Sequence, residues 1–570
     1  MRGKRDPALV FVFIWSGVVL AGMVLRFYLA WNTPLNEDEL RNWVGIARLG
    51  TEISLWPVFF FTTINPVLYY IGAAFYWLLG PREDLLWLMR LFWVLLLVPA
   101  GFAYHRIAKL ILGRPAAYAA LAVTTAFSYL LWKTCEVRQV LPAVVFALIG
   151  LWLAVEMYVG NRQDRPGRFF FTGAVLGLAV FNHYDSAIVG LTIGLYEVGL
   201  LIRGQRSFAP FLARMAAMGL GAFITFMAGP VSYGFPHGTL TIMQGMFGTG
   251  LSFVANAPIR VPGVFDTFKY DAIAWTVSII GLVAFWLGPG RKRESRGAGL
   301  LLVFTLLSPI QIIGRTEVWE HTFITPMIAA GLWAGWLLAR MARSWPGALI
   351  SLVLLAAMCS TGPRLVVNRL GELKSNNISY HDLMAEDYPK GRRGPFTLEQ
   401  LRDMTDSDRD AKRSPFMFFV PYSKSDQIRL VAWSRDNFDA RDWAWDGTGY
   451  APYLRPPILY QHSFYMNTVE WVDHCMVTTA TELKKPGLDL PHFDPVREMQ
   501  HIDGQSLMVL QLTNYPPDLV LYDRYAVDLL NAWPEVAKIL SNGYRYYVLP
   551  GPDFFVGVRS DNDPFQGRSP

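Results

Sequence analysis

Three consecutive carboxylates, Glu37, Asp38 and Glu39, stand a few residues beyond an apolar run from Leu9 to Ala30. That run is long enough to cross a bilayer, so the carboxylates stand where it surfaces. A carboxylate ionised at neutral pH can accept a proton from an attacking hydroxyl at such a face. A second polar group, Lys133-Thr134-Cys135-Glu136-Val137-Arg138, sits between two further apolar runs. Arginine and lysine placed there can hold a phosphate through charge-assisted hydrogen bonds. The plainer reading of the carboxylates is electrostatic, because acidic groups complement a helix N-terminus. After them Leu40, Trp43, Val44, Ala47 and Leu49 recur at roughly helical spacing. Asn36 or Asp38 therefore reads as the N-cap of a short amphipathic helix lying on the membrane.

The elements that must position these residues are long apolar runs. The chain has 570 residues, 53% of them hydrophobic and 14% aromatic, with a mean hydropathy of +0.27. That is too apolar for a soluble protein of this size. After the first run, others recur at 84–106, 115–132, 140–159, 168–183, 186–202, 210–230, 268–288, 297–313, 321–341 and 345–361, giving about eleven spans. Basic residues mark every second connection: Arg2/Lys4/Arg5, Arg106/Lys109/Arg114, Arg162/Arg165/Arg168, Arg203/Arg206, Arg291/Lys292/Arg293/Arg296 and Arg340/Arg343. The positive-inside rule then puts the N-terminus in the cytoplasm and the C-terminal part outside. Met1 to Arg5 and the run behind it resemble a signal sequence, but the run is long and no small-residue cleavage site follows, so it reads as a retained first span.

The alternation requires the run Pro66 to Gly80 to stay in the membrane plane. It has about 15 residues and is flanked by Pro66 and Pro81, too short to cross. The first external loop accordingly extends over 32–84. The same face collects Lys133 to Arg138, His183-Tyr184-Asp185, the segment 231–267 and Arg315 to His321. Glu156 and Glu197 fall near cytoplasmic ends, where solvation at the interface accounts for them.

Net charge is +11 over residues 1–361 and −5 over 362–570. The basic excess thus belongs to the membrane part and carries no implication of nucleic acid. From 362 onward the composition is that of a globular α/β or α+β domain. Strands are expected at Phe416–Tyr422, Leu507–Thr513, Asp518–Arg524, Tyr544–Pro550 and Phe554–Arg559, with a helix from Ala526 to Leu540 interrupted by Pro534 and an irregular stretch at 371–415. Cys135, Cys359 and Cys475 offer neither a disulfide framework nor a metal-binding spacing. His462, His474 and Cys475 match no familiar zinc pattern. Trp443, Trp445 and Tyr450 are of the kind that stacks on sugar rings, but more often forms core.

Several motifs occur in an order that resembles the GT-C superfamily of polyprenyl-phosphate-sugar glycosyltransferases, in the branch of protein O-mannosyltransferases and lipid A aminoarabinose transferases (glycosyltransferase family 39). LNEDELRNWVGIARLG resembles that family's first-loop motif, with Asp38-Glu39 in the paired acidic position. INPVLYYIGAAFYWLLG resembles its in-plane segment, and EDLLWLMRLFWVLLL its following span with an embedded arginine, here Arg90. KTCEVRQ, LAVFNHYDSAIVGL and HTFITPMIAAGLWAGWLLA resemble its later external loop, turn and late span. The similarity covers about residues 1–345. Asn65 stands where the family has histidine, Val67 replaces a proline, and Glu320-His321 replaces a common Arg-Tyr.

The resemblance implies Asp38 as catalytic base, with Glu39 orienting the acceptor or a metal. It implies Arg138 and Lys133 as donor phosphate ligands, Glu136 as the group that positions Arg138, and Asn65, His183, Tyr184, Arg315 and His321 as candidate substrate contacts. No cofactor is required on this reading, and a divalent metal is not indicated. The whole sequence therefore describes a polytopic α-helical membrane protein of GT-C type, 1–361, with a soluble external domain, 362–570. Its expected activity is inverting transfer of a sugar from a polyprenyl phosphate to an envelope acceptor at the outer face of a bacterial inner membrane. A transporter or lipid flippase is the alternative, opposed by the absence of an evident inverted repeat, the scarcity of charge at mid-membrane and the gathering of polar groups on one face. A non-catalytic homologue serving assembly is a third reading, and the presence of Asp38 argues against it.

Overall fold

The computed structural model describes residues 7–33, 35, 39, 46, 66–80, 82, 84–160, 165–232, 268, 270–288, 295–310, 323–385, 393–399, 444–446, 458–461, 509, 512–513, 516, 519–523, 534–548 and 554–561. The chain divides into two compact units. The first comprises Met1–Trp31, Ile64–Val67 and Arg90–Arg369, and the second Asn32–Thr63, Leu68–Met89 and Leu370–Pro570.

Helices account for nearly all of the described part of the first unit, because in a bilayer a helix satisfies its own backbone hydrogen bonds. In chain order the helices with described bounds are α1 (Pro7–Asn32), α2 (Pro66–Leu79), α3 (Leu85–Leu95), α4 (Leu97–Leu112), α5 (Arg114–Ala126), α6 (Ser128–Lys133) and α7 (Val140–Val159). They continue as α8 (Pro166–Asn182), α9 (Ala187–Ile202), α10 (Phe208–Ser232), α11 (Ala272–Leu287), α12 (Ser295–Leu307), α13 (Ile324–Met341) and α14 (Trp345–Ala385). Six described stretches are long and apolar enough to cross a membrane: Val10–Asn32, Leu85–Leu112, Val140–Val159, Phe208–Gly229, Ile324–Met341 and Trp345–Arg364. Val67–Leu79, Ala187–Ile202, Ala272–Leu287 and Gly297–Leu307 are shorter apolar helices. The 14 residues of α2 extend about 21 Å, well under a hydrocarbon core of roughly 30 Å.

Small residues let these helices approach. Gly173 and Gly177 on α8 have the small-xxx-small spacing that brings transmembrane backbones together. A Cβ on Gly173 would collide with the Met218 carbonyl, and one on Gly177 with Ala222 and Thr225, all on α10. Thr225 uses the closeness, its hydroxyl donating to the Ala174 carbonyl at 2.7 Å. Gly335 on α13 likewise faces the Ala120 backbone of α5, and Tyr104 of α4 donates to the Ile328 carbonyl at 3.0 Å. The α4–α5 junction turns at Gly113, whose φ of 96° suits glycine, and Pro115 then opens α5. The single apolar run 115–132 becomes two helices because Phe127 is extended, at φ −69° and ψ 123°.

Glu197 corrects the sequence reading, which left it solvated at the interface. It is fully buried on α9, accepts from the Tyr158 hydroxyl at 2.7 Å and lies 3.7 Å from both Arg206 and Arg214. The turn after α9 passes through Gly204 at φ 67° and returns these arginines to it. The part-exposed Glu156 carboxylate accepts from Trp152 at 2.9 Å and from Arg106 at 3.4 Å.

In the second unit six strands form one mixed sheet: β1 (Arg393–Phe396), β2 (Ala444–Asp446), β3 (Ile458–Gln461), β4 (Leu519–Asp523), β5 (Tyr544–Val548) and β6 (Phe554–Arg559). The order is β1-β5-β6-β4-β2-β3, antiparallel from β1 to β4 and parallel from β4 through β2 to β3. A final helix, α15 (Pro534–Gly543), buries Val536 and Leu540, and Tyr546 of β5 donates to the Leu540 carbonyl at 3.2 Å.

The expected strands near 519–523, 544–548 and 554–559 are present, since each is rich in the aromatic and β-branched residues that suit a half-buried sheet. Others differ. Val509, Leu512 and Thr513 are helical where a strand was expected, and Pro534 opens α15 instead of interrupting it, the position where a missing N–H costs nothing. The stretch from 371, read as irregular, continues α14 to Ala385 and supplies β1. Polar composition hid that helix, whose carbonyls and N–H groups are satisfied within it whatever its surface. The strand expected at Phe416–Tyr422 lies outside the described residues, as do Trp443, Tyr450, His462, His474 and Cys475.

Gly177→Val tests the close packing of α8 on α10. Overpacking of this kind costs about 1–3 kcal/mol, so the thermal midpoint in detergent should fall clearly below that of the parent, whereas Gly190→Ala, which meets nothing within 4 Å, should leave it unchanged.

Candidate functional site

The connection between α6 and α7 concentrates buried charge. Trp132, Lys133, Thr134, Cys135, Glu136 and Val137 are all buried, and the Arg138 side chain is 12% exposed. Glu136 is the centre. Its Oε1 accepts from the Lys133 ammonium at 3.1 Å and from the Trp132 indole at 3.0 Å, while its Oε2 lies 2.7 Å from Arg138 Nε. The Lys133–Glu136 pair follows from one turn of spacing, and the tight backbone bond from Arg138 N–H to the Glu136 carbonyl at 2.9 Å folds Arg138 back. Trp93 of α3 fixes the other side, donating to the Arg138 carbonyl at 2.9 Å.

Burial raises the pKa of Glu136, but Lys133, Arg138 and Arg90 lower it by more, so the carboxyl stays below its ordinary value. Among the described residues, three basic groups thus act on one carboxylate. Arg26 adds a fourth beside them. Near the end of α1, its Nε donates to Thr134 Oγ1 at 2.9 Å and its Nη1 to the Gly22 carbonyl at 3.3 Å. The approach is possible because Gly22 leaves room for Thr125. Cys135, next to Thr134, completes the local lattice with Sγ–H contacts to Leu131 and Arg26 carbonyls at 3.1 and 3.5 Å.

The structure therefore brings Lys133, Glu136 and Arg138 together. His183 is buried where α8 ends, with Nδ1 3.4 Å from Asp185 Oδ2, and the short 3-10 turn Tyr184–Ser186 follows. Since α7 and α8 are consecutive packed helices of about 30 and 26 Å, the end of α8 returns to the level at which α7 begins. His183 and Arg138 then share one face of the bundle. Asp38, Asn65, Arg315 and His321 lie outside the described residues, and the Tyr184 side chain is not described.

In the second unit Glu39 is helical and fully buried. Thr33 and Leu35 before it are also buried, and Trp87 donates to the Thr33 carbonyl at 2.9 Å. Ile46, absent from the apolar set read in the sequence, packs on Gly72 of α2, where a Cβ would press on its side chain. The members of that set, Leu40, Trp43, Val44, Ala47 and Leu49, lie outside the described residues. Among the described residues no three His, Cys, Asp or Glu side chains gather as metal ligands.

Sequence reasoning missed Arg26 and Trp132 and gave Arg90 no role. Arg26 carried a signal, an ionisable residue four positions from the end of an apolar run, which is costly unless partnered.

The helices and this buried cluster define an integral membrane protein of polytopic helical fold. No protein-family model and no curated protein matches the sequence. Among solved structures the chain is similar to ArnT from Cupriavidus metallidurans bound to undecaprenyl phosphate, with a TM-score of 0.55 at 13% identity over 96% of this chain and 97% of that one. That likeness shows the fold, and the chain has the GT-C fold. It is also similar to the archaeal oligosaccharyltransferase AglB from Archaeoglobus fulgidus in complex with an inhibitory peptide and a dolichol-phosphate, with a TM-score of 0.47 at 12% identity over 97% and 75% of the two chains.

Glu136→Gln tests the cluster. Removing one partner of a buried pair costs on the order of 3–5 kcal/mol, so the variant should melt well below the parent at neutral pH. Because the folded-state pKa is depressed, the carboxylate's contribution is fully present above its ordinary value of 4.5 and is lost as pH falls through the lower folded value. Thermal midpoints measured from pH 7 down to 3 should converge; a constant difference would remove the ion pair as its source.

Proposed function

We propose that the protein is an integral membrane glycosyltransferase that moves a sugar from a polyprenyl phosphate to an acceptor at the external face. The observation that carries this is the buried cluster of Lys133, Arg138 and Arg90 about Glu136 at the head of a membrane helix. Guanidinium and ammonium groups held in this way suit a lipid-borne phosphate, which they bind through charge-assisted hydrogen bonds. The GT-C fold, shared with a structure bound to undecaprenyl phosphate, supports the same donor class.

The step is a single displacement. The acceptor hydroxyl oxygen bonds to the anomeric carbon as the bond from that carbon to the phosphate oxygen breaks, and configuration inverts. The electron pair leaves with the phosphate, held by Arg138 and Lys133, with Glu136 fixing Arg138. The hydroxyl proton passes to Asp38. Glu39 orients the acceptor, and Asn65, His183, Tyr184, Arg315 and His321 contact sugar or acceptor. The N-terminus is cytoplasmic in a bacterial inner membrane, residues 1–361 form the membrane part, and 362–570 form an external domain.

Asp38→Asn and Arg138→Lys, assayed in nanodiscs with polyprenyl-phosphate sugars, test the reading. Asn fills the space of Asp without taking the proton, so Asp38→Asn should bind donor while transfer falls by about 10²–10⁴-fold, the usual worth of general-base catalysis. Arg138→Lys should lower donor use at limiting donor, because an ammonium cannot copy the planar fork. Parental rates in Asp38→Asn would sink the catalytic assignment. A parent that moves a solute or lipid across vesicles and uses no lipid-linked sugar would put the transporter reading in its place.

A further inference from the structure

Asp271 lies far from Glu136 in sequence, at the foot of α11, yet it touches the helix that leads to the charge cluster. It is 2% exposed. Its Oδ2 accepts from the Ser128 hydroxyl at 2.8 Å, and its two oxygens lie 3.1 and 3.2 Å from the Ser128 N–H, with a further backbone bond from Tyr129. Ser128 and Tyr129 open α6, and Phe127 before them provides no side-chain cap. The orphan N–H groups of that first turn are therefore satisfied by a carboxylate from another helix.

Two packing contacts hold the arrangement. Phe127, the extended residue between α5 and α6, meets the Trp275 ring of α11 edge-on at 5.4 Å. Gly362 of α14 closes the remaining side: a Cβ there would collide with the Ala126 carbonyl and stand 3.1 Å from Asp271 Oδ1 and 3.2 Å from Ser128 N. The break after α5, the foot of α11 and the far end of the last apolar run thus meet at one point. Helix α6 has six residues, about 9 Å, and ends on Lys133. A helix this short has too few internal bonds to hold its own direction, so what fixes its start also fixes its end.

We propose that Asp271 is a positioning residue: by capping α6 it places Lys133, and through it Glu136 and Arg138, for the donor phosphate. The proposal rests on the glycosyltransferase reading for its ligand. Asp271 acts through α6 and not on the donor. A shift of about 1 Å at a binding group is enough to cost as much as 10²-fold, so loss of the cap is felt in donor affinity.

Asp271→Ala, Asp271→Asn and Gly362→Ala, in nanodiscs, would be compared with the parent by transfer kinetics, by binding of polyprenyl phosphate without sugar, and by hydrogen exchange of amides 128–138. Asp271→Ala should raise the donor KM and the polyprenyl phosphate Kd by at least about tenfold, with kcat at saturating donor close to parental and faster exchange over 128–138. Asp271→Asn keeps a carbonyl acceptor for Ser128 and should restore most of the affinity, while Gly362→Ala should imitate Asp271→Ala. Parental KM and exchange in Asp271→Ala would overturn the proposal, as would an equal fall in kcat with no rescue by Asn. If the parent neither transfers sugar nor binds polyprenyl phosphate, the glycosyltransferase reading fails, and exchange alone decides the role of Asp271: faster in Asp271→Ala upholds the cap, unchanged removes it.

Discussion

Glu136 is buried as an anion among cations, and much of the described bundle is arranged to make that tolerable. An isolated carboxylate buried in protein is strongly disfavoured against its protonated form. Here Lys133 and Arg138 supply charge within bonding distance, Arg90 acts from α3, and Trp132 donates its indole N–H. Each partner needs its own support. Trp93 holds the Arg138 backbone, and Arg26 ties Thr134 to α1. Charges that would be costly singly are tolerated because each is held by hydrogen bonds and by the others.

Close helix contact is what allows polar groups to be held this rigidly. Lipid tails provide no hydrophobic drive between helices, so the bundle relies on small residues and on specific hydrogen bonds. Gly173, Gly177 and Gly335 bring backbones together around α8 and α13, Gly362 does the same next to the charged connection, and Gly22 there makes room for the Thr125 side chain. At Gly362 the absent side chain makes room for both Asp271 and Ser128. The same glycines are unremarkable in composition, and their role becomes visible only when the opposing backbone is in place.

The bundle was legible in the sequence for a plain physical reason: apolar runs of spanning length have few alternatives to helices in a bilayer. The ordered motifs pointed to the GT-C fold, and KTCEVRQ pointed to the Lys133–Glu136–Arg138 group through charges that interrupt apolar sequence. What sequence could not supply was any interaction between distant segments. Arg26 with Thr134, Arg90 with Glu136 and Asp271 with Ser128 are separated by 108, 46 and 143 positions, and no local pattern links them. Glu197 shows the same failure in reverse. Its place near the end of an apolar run suggested solvation, whereas Arg206, Arg214 and Tyr158 fold over it.

The second unit was harder to read because its strands are short and its order is non-local. Of β4, β5 and β6, only β5 and β6 pair as chain neighbours; β1 joins across about 150 positions and β2 and β3 pair in parallel. Parallel pairing and long connections leave no hairpin signal, and three-residue strands such as Ala444–Asp446 carry too few residues for alternation to show. The reach of α14 has a different cause. Beyond the last apolar run its residues are polar, so hydropathy stops at about 361 although backbone hydrogen bonding continues to Ala385. Hydropathy reports where a chain prefers lipid, and helix propagation depends on each residue's backbone bond to the turn before it. At the exit from a membrane the two part company, and Gly362 lies at that parting, its lack of a side chain serving the Asp271–Ser128 contact while the helix runs on.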